Sequence, residues 1–305
     1  MPVSQRSYRL RGGEPAAAGM RRIARGRAER AAGRLRKAGE DDLAAAIHGA
    51  RKDLKKLRAV LRLVREELGE KHFERENQRY REAARLLATS RDAEVKLQTL
   101  RALRERCGAQ LTTAATEAWE AALLADRDRL ASAEAGELGE RIEAALRMIE
   151  TGAQETGDWP LCEEGWKLVA AGLTEAYREG REELEVVKAG GSDLEIHELR
   201  KRVKDLWYQQ RLLVEAWPGP IGAAVAELDS MAEMLGEHHD LSMLAADLSE
   251  RGNAIAEGAE IASLIATRQH HLLEHSVGIG DRLYADKPKA FRRRHRAYWR
   301  AWRPE

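Results

Sequence analysis

The stretch IHGARKDLKKLRAVLRLV, residues 47–64, carries two helical registers at once. Ile47, Ala50, Leu54, Leu57, Leu61 and Val64, continued by Leu68, recur at spacings of three and four. That is the seam of a helix facing a bundle core. His48, Arg51, Lys52, Lys55 and Arg62 form a second stripe, centred roughly 130° around the helix from the first. Like charges three and four residues apart repel by some tenths of a kcal/mol per pair. A solvated helix normally intersperses acids, yet residues 43–65 hold only Asp53. Something negative is therefore expected to compensate the stripe.

The pattern is written twice. IHELRKRVKDLWYQQRLL, residues 196–213, repeats Ile-His-x-x-Arg-Lys-x-x-Lys at an offset of 149 residues. Ile196, Leu199, Val203, Leu206 and Leu213 make its seam, interrupted by Gln210, and His197, Arg200, Lys201, Lys204 and Arg211 make its basic stripe. Downstream, LLATSRDAEV (86–95) parallels MLGEHHDLSM (234–243), with Asp92 and Asp240 in matching places. A period this long points to two tandem helical units, residues 10–150 and 158–303, rather than a solenoid of short repeats. TGAQETGDWP, residues 151–160, reads as the linker.

Helical signals fill the rest. A first helix ends near Gly39, Asp41 and Asp42 stand where an N-cap belongs, and a long helix follows to about Leu68. Further helices are expected at 72–88, 91–106, 111–131 and 136–150. The second series covers about 162–187, 194–216, 221–235, 239–251, 255–276 and 287–302. The 305 residues are 43% hydrophobic but only 5% aromatic, with 34% charged and seven prolines, which suits an all-α protein with Leu/Ala cores.

The net charge of +1 hides a segregation. Residues 1–65 hold 18 Lys/Arg against 6 Asp/Glu, residues 287–305 hold 8 against 1, and the middle is acid-rich. Local fields follow where charges sit, so a polyanion partner stays open. Cys107 and Cys162 form no CxxC and read as reduced thiols of a cytoplasmic protein. MPVSQRSYRLRGGEP lacks the apolar core of a secretory signal, and no apolar run is long enough for a membrane span.

The two His helices, with YREGREELEVVKAGGSD (177–193) before the second and KPKAFRRRHRAYW (287–299) near the end, resemble the CHAD family, the conserved histidine α-helical domain. The resemblance spans about residues 10–303. It implies two pseudo-symmetric helical bundles enclosing a basic cavity that binds inorganic polyphosphate, with no enzymatic activity and no cofactor. Association with polyphosphate granules, regulation and storage are roles it leaves open. The implied ligand face comprises His48, Arg51, Lys52, Lys55, Arg58 and Arg62, then His197, Arg200, Lys201, Lys204 and Arg211. The helices preceding these add Arg21, Arg22 and Arg25, then Tyr177, Arg178 and Arg181, and the C-terminal helix adds Lys289 and Arg293 as a wall of the cavity. The second unit is less basic, since Lys56 aligns with Asp205 and Arg58 with Trp207. Asp92 and Asp240 read as N-caps or as partners orienting basic side chains.

The chemistry of the stripe suits that ligand. A polyphosphate offers charge and acceptor oxygens and no bases; Arg gives a planar fork, Lys a mobile charge, and protonated His two donors. Nucleic acid is the competing polyanion, but no helix-turn-helix, zinc finger or RNP pattern is present. For metal binding, His271 and His275 have chelating spacing but no third ligand at fixed spacing, His238, His239 and Asp240 adjoin but neighbouring histidines often point apart, and HEL at 197–199 lacks a second zinc-binding His. For an enzyme, there is no P-loop, and ELEVVK (183–188) lacks the Glu-x-Glu-x-Lys spacing of triphosphate-tunnel enzymes.

Overall fold

A computed structural model gives the fold and describes residues 7–39, 42–88, 91–108, 113–252, 255 and 257–303, among which there is no strand. The helices are α1 (Ala16–Lys37), α2 (Leu43–Leu63), α3 (Arg65–Leu68), α4 (Glu70–Leu86), α5 (Arg91–Cys107), α6 (Thr113–Glu155), α7 (Lys167–Lys188), α8 (Asp193–Leu212), α9 (Pro218–Arg251), α10 (Gly258–Leu283) and α11 (Pro288–Trp302). Short 3₁₀ turns occupy Thr156–Asp158 and Val214–Ala216.

Local chemistry explains most of the starts. Pro218 and Pro288 sit in the first turns of α9 and α11, where a missing N–H costs nothing. Ser192 and Glu195 close a capping box on α8. Asp42 precedes α2 without a side-chain cap bond, and Asp41 lies outside the described residues. The expected helix to Leu68 breaks at Val64, where α7 crosses closely: a methyl on Gly172 would overlap the Leu63 carbonyl. Two further expectations are corrected. The segments 111–131 and 136–150 form one helix, α6, and 221–235 and 239–251 form α9. Gly136 and Gly139 lower helix propensity by about 1 kcal/mol each, which a 43-residue hydrogen-bonded helix absorbs.

Core packing joins the two sequence halves. Ile23, Leu54, Leu57, Val203, Leu206 and Leu235 belong to one buried cluster. Each leucine there stabilises the fold by roughly 1.5–3 kcal/mol through burial. A second cluster holds Leu97 and Leu100 of α5, Trp119 of α6, Leu241 and Leu244 of α9 and Ile261 of α10. The long helices α6 and α9 run through both clusters, α2 packs on α7 and α8, and α5 packs on α9. The 151–160 boundary therefore separates repeats along the chain while packing crosses it.

Candidate anion-binding site

The seam residues of α2 and α8 are committed to the core, so the stripes lie on what remains. His48, Arg51, Arg58, Arg62, His197, Arg200, Lys204 and Arg211 are half-buried, while Lys52, Lys55 and Lys201 are exposed. The two helices touch, and Arg62 reaches from one to the other: its Nη1 lies 2.8 Å from Asp205 Oδ1. Arg211, the counterpart of Arg62, lies 4.4 Å from the ring centroid of Trp207, over which Lys204 also sits at 4.2 Å. Cation–π contact lets these positive heads stay close to an apolar wall. Tyr8 gathers Arg27, Lys56 and Arg211 around its ring at 5.7, 5.8 and 5.9 Å, and its hydroxyl donates to the Lys56 carbonyl.

Counterpart arginines take counterpart places. Arg51 Nη1 donates to the carbonyl of Leu87 at the end of α4. Arg200 lies against Gly236 of α9, 149 residues after Leu87, with Nε and Nη2 3.2 Å from where a methyl would stand. Arg200 Nε is buried with no hydrogen-bond partner among the described residues. Arg200 and Lys204 face a cavity of about 490 Å³ bounded by α5, α8, α9 and α10, whose wall also carries Arg106, Arg268, Glu233, Glu237 and Asp240. Lys204 is 3.4 Å from Asp229, Lys201 is 2.5 Å from Glu198, and Arg58 donates to Asn77.

This crowding is stored in the acid–base balance. Burial, then Arg62, pushes Arg58 down to about 10, while Asp205 opposes. Burial also lowers Lys204 against the pull of Asp229, and lowers Lys56, which Arg27, Arg211 and Arg30 depress further. His197 is lowered by burial first, then by His239, Arg200 and Lys201. Its ring centroid is 4.3 Å from that of His239, and its Nδ1 is buried without a hydrogen-bond partner among the described residues. An anion entering here would reverse each of these shifts.

Other expected ligand residues stand elsewhere. Arg21 donates to the carbonyls of Trp159 (2.7 Å) and Leu161 (2.9 Å), fastening the segment between α6 and α7. Arg22 is paired with Glu14, and exposed Arg25 stands beside Gly157. Tyr177 is a core residue: it is fully buried, stacks on Phe291 at 3.8 Å and donates to the Asp286 carbonyl. Arg178 pairs with Glu175 and Glu182, and Arg181 donates to the Tyr284 carbonyl. Lys289 and Arg293 are exposed on α11, which packs on α7 and on residues 214–216, and no α11 residue lines the cavity of Arg200 and Lys204. Asp240 lies inside α9, so it is no N-cap; it stands on the cavity wall. The side chain of Asp92 lies outside the described residues.

Sequence reasoning missed Arg106, Arg268, His239, Arg27 and Lys56. Arg106 and Arg268 share Glu237, at 3.5 and 2.8 Å, a meeting of α5, α9 and α10 that no local spacing announces. Arg27 had a signal: Asp53, the one acid among the cations of α2, is buried and needs a cation, and Arg27 Nη1 lies 3.1 Å from it.

A family model, the CHAD domain, matches residues 22–249. The fold is similar to that of PptA from Streptomyces chartreusis, with a TM-score of 0.65 at 18% identity over 90% of this chain and 100% of that one. No curated protein matches the sequence. The family match takes in both copies of the His-x-x-Arg-Lys motif and the helices α5 and α9 that meet beside them: the chain belongs to the CHAD family.

Proposed function

We propose that this protein binds inorganic polyphosphate without hydrolysing it, on a basic face that includes the cavity of Arg200 and Lys204 and continues along the stripes of the two motif helices. The observation that carries the reading is that two copies of one cationic stripe stand on helices that touch, with Arg62 of α2 paired to Asp205 of α8. Membership of the CHAD family supports it. The ligand face comprises His48, Arg51, Lys52, Lys55, His197, Arg200, Lys201 and Lys204, with Arg58, Arg62 and Arg211 extending it. Arg21, Arg22, Tyr177, Arg178 and Arg181 act by fixing the helices that carry this face.

The chemistry is charge neutralisation. Each phosphate oxygen accepts from a guanidinium or ammonium, and condensed counterions leave, so affinity falls steeply with salt. The half-buried cations, Arg51, Arg200 and Lys204 among them, have already lost part of their hydration, which makes contact with an anion more favourable than at a fully wet surface. Of the carboxylates on the cavity wall, Glu237 is engaged by Arg106 and Arg268, which argues for binding over metal-assisted hydrolysis. Targeting to polyphosphate granules is a role this binding would serve.

Calorimetric titration of long-chain polyphosphate, single-stranded DNA and orthophosphate tests the reading. Polyphosphate is expected to bind tightest at physiological salt, with no phosphate released. Reversal of Arg51, Lys55, Arg200 and Lys204 to Glu is expected to weaken binding by about a hundredfold or more, with helical circular dichroism retained. Equal affinity for DNA, or undiminished binding by the variant, defeats it.

A further inference from the structure

We propose that the outward face of α11 is a second polyphosphate track, separate from the α2–α8 site, and that one long chain occupies both. This rests on the polyphosphate reading above and extends it to a surface the cavity does not include.

Lys289, Arg292, Arg293, Arg296 and Arg300 follow one another at helical spacings of three and four, so their heads form a single row on α11. From Lys289 to Arg300 the row runs about 16 Å. All five are exposed, and none makes an ion pair among the described residues. Their neighbour Arg294 is the one held, by Asp286 at 2.5 Å. The contrast with α7 is direct, where Arg178 is gripped by two glutamates. A row of like charges with no internal acid costs stability, as the stripe of α2 does, and an external anion relieves it.

The row does not belong to the cavity. Phe291, His295 and Trp299 are buried on a side of α11 centred about 120° from the row, against Tyr177 and Gln210. Gln210 stands about 120° around α8 from Lys204, so the side of α8 that meets His295 is not the side that carries Lys204. A shallow concavity on α11 is lined by Lys287, Lys289, Arg292, Arg293 and Arg296 with Ala290, and by no residue of α2, α5 or α9.

The row fits a thin chain. The apolar side of α11 is spent on the fold, leaving little to insert into a lipid surface. The nearest exposed aromatic, Trp217, is turned edge-on against Tyr298 at 4.7 Å, at the border of the row rather than along it, so no ladder for stacking bases accompanies the cations. Occupying both tracks with one polymer makes the second contact intramolecular. Affinity then rises with chain length once a chain can span them.

The test is full-length protein carrying Lys289→Gln, Arg292→Gln, Arg293→Gln and Arg296→Gln, exposed changes to a good helix former. Tripolyphosphate, long-chain polyphosphate and vesicles of anionic phospholipid are titrated at one salt concentration. Long-chain affinity is expected to fall about tenfold or more, with tripolyphosphate binding at the cavity retained. Unchanged long-chain affinity overturns the proposal, as does an equal loss for both lengths, which would put α11 in the cavity site. Vesicle binding that depends on these residues while long-chain affinity does not would assign the face to a membrane instead. Wild-type protein that binds neither polymer defeats the cavity reading and this one with it.

Discussion

His295 is 6% exposed between α11 and α8. Its Nδ1 donates to the Phe291 carbonyl, and its Nε2 accepts from Gln210 Nε2 at 3.0 Å, an arrangement that needs the neutral ring. Burial pushes its pKa from 6.5 down to about 4. Between those values the unfolded chain binds a proton that the folded one refuses. Stability from this residue is whole above about pH 6.5 and falls by roughly 3 kcal/mol as pH drops to 4. His295→Phe removes a hydrogen bond at neutral pH but also removes the acid-sensitive group. Thermal melts should show the variant below wild type at pH 7, with the gap narrowing from pH 6.5 to 4. A constant gap would contradict the assignment. His197 is lowered too, but it is half-buried one helical turn before Arg200 of the cavity wall, where an anion would lift it again. The same side chain packs at His295 and, on the proposed reading, binds at His197.

Two glycines separate packing from binding at the level of whole helices. At Gly172 an added methyl would overlap the backbone carbonyls of Arg62 and Leu63, so α7 must move off α2. At Gly236 the same methyl would meet only the guanidinium of Arg200, which can swing away. Gly172→Ala should therefore cost about 2–4 kcal/mol in urea unfolding. Gly236→Ala should leave stability level or raised by up to about 1 kcal/mol, since alanine is the better helix former. It should nonetheless weaken polyphosphate binding several-fold by displacing Arg200. A Gly236→Ala protein as destabilised as Gly172→Ala would show that α9 also packs by backbone contact there. Helix starts were legible where the chain carries a chemical mark, as at Ser192, Pro218 and Pro288. The continuity of α6 and α9 was not, because a glycine or a run of polar residues in a sequence does not report whether the next turn finds a neighbour. The repetition of the basic stripes at 149 residues was legible, because both copies stand in the chain. The placing of Arg106, Arg268 and His239 near Arg200 and His197 was not, because it depends on where α5, α9 and α10 converge.

At the scale of the molecule, the sequence divides where the packing does not. Leu10 N–H donates to the Leu212 carbonyl, tying the N-terminal segment to the end of α8. Lys96 of α5 and Trp119 of α6 both reach Asp247 of α9, at 3.0 and 2.8 Å, so the second core is also built from both halves. Each half alone would expose the faces that α2 gives to α7 and α8 and that α5 gives to α9. The second half alone would also strip buried Asp247 of Lys96 and Trp119, leaving it to Arg251 of its own helix at 2.6 Å. The full chain is therefore expected to unfold in urea in one transition, seen alike by circular dichroism and tryptophan fluorescence. Fragments 1–157 and 158–305 should each bind an apolar dye and melt without a sharp transition, then regain cooperativity when mixed. A fragment that unfolds sharply alone would mean that its own core suffices and that contacts between the halves are secondary. If the fragments do require each other, the proposed polyphosphate binding should return with the mixing, because that reading draws on cations of both α2 and α8.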